Sequence, residues 1–115
     1  MELYHADIRL PDGFEMPTHR VELKWTRHAD RARLDDRYGE IPRFATIPLS
    51  QFKVVEVGVD MGRVCKIVVR GHFRLNEDVI FVLIPNRSGP WTVKTVWKNL
   101  RTDSHSTLDH SRYVC

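Results

Sequence analysis

The sequence is poor in the residues that mark out special classes of protein. It holds two cysteines, Cys65 and Cys115, in 115 residues. A disulfide framework needs more. One lies inside an apolar stretch and the other is the last residue, so they read as unrelated reduced thiols of a cytoplasmic protein. No long apolar run occurs. The longest, residues 79–84, sits between Asp78 and Pro85 and is too short to cross a bilayer as a helix. The opening residues, MELYHADIRLPDG, lack the basic start and apolar core of a secretory signal. The six glycines are scattered at turns, so no phosphate-binding loop is present. No internal repeat or low-complexity stretch is visible. The charge excess is small, +3 with histidines neutral. It permits contact with a phosphate backbone without demanding it.

What is there suits one domain. Apolar residues make up 42% of the chain, enough for a single core and too little, at this length, for two. Residues 1–18 carry Pro11, Gly13 and Pro17 and read as an irregular arm with a short strand at 3–10. In residues 20–26, Val21, Leu23 and Trp25 alternate with Glu22 and Lys24, the pattern of a half-buried strand. Thr26 suits an N-cap for a helix over 27–38, with Gly39 as its stop. That helix has a thin apolar strip of Ala29 and Ala32 beside Trp25, so it must lie close on a flat surface such as a sheet.

From Phe52 the period changes to two. Strands are expected at 52–59 and 64–70, joined by a tight turn at Asp60-Met61-Gly62-Arg63. Residues 71–78 read as a polar loop. Residues 79–84 are apolar on both faces and so central. After the turn formers of 86–90 comes a last strand, 91–97. Simple alternation puts Trp91, Val93, Thr95 and Trp97 on one of its faces and Thr92, Lys94 and Val96 on the other. The expected fold is α+β: an N-terminal helix packed on a four- to five-stranded antiparallel sheet, the domain spanning 19–99. Residues 100–115 follow as a polar tail packed near the site.

Chemistry concentrates in two places. The first is the helix start, where His28 can exchange a proton near neutral pH and Arg31, one turn on, can steady a phosphate. The second is the end of the last strand with the tail. There Thr95, Lys98, His105, Thr107, Arg112 and Tyr113 combine hydroxyl, imidazole and cationic groups. Lys98 and Arg112 would stabilise a charged intermediate, and Thr107, Arg112 and Tyr113 are the candidates for substrate contact. Asp103, His105, Asp109 and His110 carry ligand-type side chains, but their spacing matches no zinc pattern, so neither metal nor cofactor is expected. Trp91 and Trp97, placed on one face, could stack bases but read more simply as packing.

The stretch His28-Ala29-Asp30-Arg31-Ala32-Arg33-Leu34-Asp35-Asp36-Arg37-Tyr38-Gly39-Glu40-Ile41 resembles the H-A-x-x-R helix of small toxin-like domains in the barnase–EndoU–colicin–RelE superfamily. Val93-Lys94-Thr95-Val96-Trp97 is similar to the final strand of that fold. The resemblance implies a metal-independent ribonuclease cutting RNA by 2′-hydroxyl attack. His28 would be the helix histidine, Arg31 the helix arginine and Thr95 the last-strand hydroxyl. Lys98 and His105 join them if the strand direction brings them near His28, the two histidines forming the acid–base pair. The expected partners are RNA and an antitoxin or host protein, with no membrane. The alternative is a non-catalytic module of phage or mobile-element type that binds a host protein or nucleic acid. Convergence of His28, Thr95 and His105 in one cleft decides between them.

Overall fold

The computed structural model of the chain describes residues 2–5, 17 and 19–103. Among these residues, seven strands and one α-helix follow in the order β1 (Glu2–His5), β2 (Arg20–Trp25), α1 (Arg27–Leu34), β3 (Thr46–Pro48), β4 (Phe52–Asp60), β5 (Arg63–Arg74), β6 (Glu77–Ile84) and β7 (Trp91–Leu100). Their spatial order is β1-β4-β5-β6-β7-β2-β3. The period-two region forms an antiparallel meander, β4 to β7. Met61 and Gly62, both at positive φ, make the two-residue turn between β4 and β5. β6 lies inside the sheet and is buried on both faces, as its unbroken apolar run requires.

This corrects the expected fold. The sheet is larger than four or five strands and it is mixed, because β2 pairs with β7 in parallel, Leu23 opposite Trp91 and Trp25 opposite Val93. The helix is not N-terminal to the sheet either: strands β1 and β2 precede it. β1 pairs with β4, and β3 extends the far edge beyond β2. Residues 71–78 are not a loop. β5 runs on to Arg74, because Phe73 packs edge-on against Phe44 at 6.1 Å and the turn is taken by Leu75 and Asn76 instead. No helix among the described residues is long and apolar enough to cross a membrane.

α1 is shorter than expected. Thr26 is its N-cap: the hydroxyl oxygen accepts from the Ala29 N–H at 3.0 Å and donates to the Val93 carbonyl at 2.9 Å, which anchors the helix start to β7. The helix stops at Leu34 because the Asp36 carboxylate takes hydrogen bonds from the backbone N–H groups of Tyr38 and Lys98. That draws the chain onto β7 before another turn can form. Only Ala29 of the helix is fully buried, so a small residue sets how closely α1 lies on the sheet.

The larger core lies between the sheet and α1 with the 41–49 segment. It gathers Val21, Ile41, Ile47, Ile67, Val69, Phe81, Leu83, Trp91, Val93 and Val96. A smaller cluster of Val68, Ile80, Val82 and Trp97 lies on the opposite face. The helix-covered side is the first face of the sheet and the other side the second face. Gly71, directly opposite Phe52, lets the Phe52 ring lie across the strand. A Cβ there would sit 2.7 Å from two ring carbons. Gly71→Ala should therefore cost about 1–3 kcal/mol by overpacking. An unchanged urea midpoint would show that the ring moves aside freely.

One irregularity decides the geometry of β7. Val82 pairs with Thr95 but Leu83 pairs with Val93, so Lys94 is an extra residue, a β-bulge. The bulge reverses the alternation. Trp91 and Val93 face the first core together with Val96, whereas Thr95 and Trp97 join the second face. The expected grouping of Trp91, Val93, Thr95 and Trp97 on one face is thus overturned, and the two tryptophans do not form a stacking pair.

Candidate functional site

α1 runs along β7 on the first face, its start tied to Val93 and the turn beyond it tied to Lys98. The outward side of the helix carries Arg27, His28 and Arg31, all exposed. The acid among them is already occupied. Asp30 accepts from Arg33 Nε at 2.7 Å and lies 3.8 Å from Arg43 Nε. The Arg33 hydrogen bond is the main reason its carboxyl is held below the usual carboxylate range; burial opposes this and the Arg33 and Arg43 charges add to it. Arg33 also donates to the Ile41 carbonyl and lies 3.7 Å from Glu40. Arg27 and Arg31, one turn apart, have no ion-pair partner among the described residues.

Of the residues singled out in the sequence, His28 and Arg31 lie together on this exposed surface. Thr95 does not join them. It is buried on the second face, opposite Val82, with the sheet between it and the helix. Lys98 is on the first face but buried. Its ammonium donates to the Tyr38 carbonyl at 2.9 Å, lies 3.4 Å from Glu77 and sits over the Phe73 ring. It clamps the turn after α1 to β6 and β7. His105, Thr107, Arg112 and Tyr113 lie outside the described residues, as do Asp109, His110 and Cys115. Among the described residues no three His, Cys, Asp or Glu side chains gather as a metal site would need.

Cys65, expected to be a reduced thiol, is disulfide-bonded. The expectation of a reduced thiol rested on the small number of cysteines, and a low count argues against a disulfide framework without excluding a single bridge.

Sequence reasoning passed over two charged clusters. On the second face Glu56 and Lys66, each about 1% exposed, lie 3.7 Å apart. Burial is the chief cause that pulls the Lys66 amine below the ordinary lysine range; Glu56 opposes this and Lys94 reinforces it. Both residues interrupt apolar runs, VVEVGV and VCKIVV, and that interruption was the available signal. At the other end of the same face Arg70 and Arg101 share the carboxylate of Asp78. The sequence reading puts Arg70 at the end of the 64–70 strand and Asp78 in the 71–78 loop, and so does not pair them.

Comparison with protein-family models, with curated proteins and with solved structures finds no match, so any functional reading rests on these residues alone.

Proposed function

We propose that this domain is a non-catalytic module that binds the phosphate backbone of RNA through the outer side of α1. The observation that supports it is the exposed set Arg27, His28 and Arg31, left positive because the helix acid Asp30 is bound by Arg33 and Arg43. Two arginines at i, i+4 reach neighbouring phosphates without reading bases. Strand cleavage asks for proton-transfer groups on both sides of one phosphate. The hydroxyl expected beside His28, Thr95, lies across the sheet from it, and Lys98 is engaged in a structural clamp, so His28 has neither of these two expected partners and binding is the better reading. A cytoplasmic location fits an RNA partner, and the disulfide at Cys65 is the observation against it.

Fluorescence anisotropy with a single-stranded RNA tests this. Affinity should fall steeply with salt, and Arg27→Gln/Arg31→Gln should lower the log–log slope by about 1.4, at ~0.7 per single-strand phosphate contact. Affinity indifferent to salt, or a double variant that binds like the parent, would refute the assignment. Incubation with total RNA in excess EDTA should give no 2′,3′-cyclic phosphate ends. Fragments that vanish on His28→Ala would restore the ribonuclease reading.

A further inference from the structure

The Asp78 corner is built in a way that structural ion pairing leaves incomplete. The carboxylate is buried and receives Arg70 Nε at 2.7 Å and Arg101 Nε at 3.3 Å. Each guanidinium is then fixed by backbone carbonyls. Arg70 Nη2 donates to Leu100 and Arg101, and Arg101 Nη2 donates to Arg74. Two cations share one anion, and the Nη1 group of each arginine has no partner among the described residues. Beside them stands Asn99, the cross-strand neighbour of Asp78 on β7. It is 1% exposed, and its Nδ2 has no hydrogen-bond acceptor. A buried amide donor without an acceptor is costly. On the β5 side the neighbour of Asp78 is His72, which is exposed and marks the rim of the corner.

We propose that this corner binds a phosphate group. The unused groups are donors: two guanidinium edges and one buried amide. The net charge is positive once Asp78 is counted. A guanidinium held by a carboxylate and by backbone carbonyls loses little freedom on binding, and its planar fork matches a phosphate's oxygens. Asp78 therefore serves as the brace that positions Arg70 and Arg101, and the phosphate completes the hydrogen bonding of Asn99. The corner is on the second face, across the sheet from Arg27 and Arg31, and does not depend on RNA binding by the helix. The phosphate could belong to a nucleic-acid backbone or to a small phosphorylated ligand; the recognising chemistry is the same.

Titration of the 15N-labelled full chain with inorganic phosphate, at constant ionic strength set by sodium chloride, tests the site. The Asn99 side-chain amide and the Arg101 Nε–H should shift saturably. Arg101→Gln and Asn99→Ala should each weaken phosphate binding about tenfold, the usual loss for a charge-assisted hydrogen bond. Arg27→Gln/Arg31→Gln should leave it unchanged. Arg101 is partly exposed and Arg70 keeps Asp78 paired without it, so that variant should fold. A short RNA that reproduces the Asn99 shift identifies a nucleic-acid phosphate, and one that leaves it untouched identifies a small ligand. Equal shifts from chloride alone, or an Asn99 amide that phosphate never moves, would overturn the proposal.

Discussion

Phe81→Ala should cost the domain about 3–5 kcal/mol, the usual loss for emptying a fully buried aromatic site. The ring is fully buried on the first face of β6. It meets Trp25 of β2, Phe44 of the connecting segment and Phe52 of β4 edge-to-face, with centroids 5.7–6.1 Å apart. Such contacts add about 0.5–1.5 kcal/mol per pair beyond area burial. These three rings belong to three different segments, so the cavity would loosen the β2–β7 side, the 41–49 segment and β4 together. Collapse of the site is limited because the opposite face of β6, Ile80 and Val82, is packed as well. Urea unfolding read by tryptophan fluorescence should show a lowered midpoint with an unchanged slope. A loss below about 1 kcal/mol would mean that the three neighbouring rings close the gap among themselves.

What made Phe81 recognisable as central was an apolar run without polar interruption. The features legible in the sequence are of that local kind. The β2 alternation, the Thr26 cap and the Met61-Gly62 turn each depend on a few adjacent residues, and each lies where those residues put it. Features set by distant partners were not legible. The parallel pairing of β2 with β7 is a property of two segments about seventy residues apart. The early end of α1 depends on Asp36 reaching the Lys98 N–H. The bulge at Lys94 has no residue signature, since no glycine marks it, yet it moves Thr95 from the helix side of the sheet to the other. A site assembled from sequence alternation alone was bound to misplace that hydroxyl.

The site is legible to the same degree. His28 and Arg31 share a surface because helical spacing alone guarantees it. The pairing of Arg70 and Arg101 with Asp78 crosses three strands and depends on register. Charged residues inside apolar strand runs were the one sequence sign that bore on such clusters, at Glu56 and Lys66. Those two residues carry the other large expected effect.

Lys66→Met should destabilise the domain by about 3–5 kcal/mol, because it leaves the buried Glu56 carboxylate without the cation 3.7 Å away. Glu56→Leu/Lys66→Met should recover most of that loss, since replacing both charges of a buried pair by apolar side chains is often neutral or better. The pH dependence separates the charge from the packing. Lys66 has an amine pulled below its ordinary 10.5, mainly by burial. In the window between the lowered value and 10.5 the unfolded chain binds a proton that the folded chain does not. Stability therefore rises with pH across that window, is fully present above it, and is lost as pH falls through the folded value. Guanidinium melts of the parent should show this rise as pH approaches 10.5 from below, and melts of the Lys66→Met chain should lack it, other groups contributing equally to both. Parallel stability curves for the two chains would mean that Lys66 has the same proton affinity folded and unfolded. A double variant no more stable than Lys66→Met would mean that the buried carboxylate was not the source of the loss.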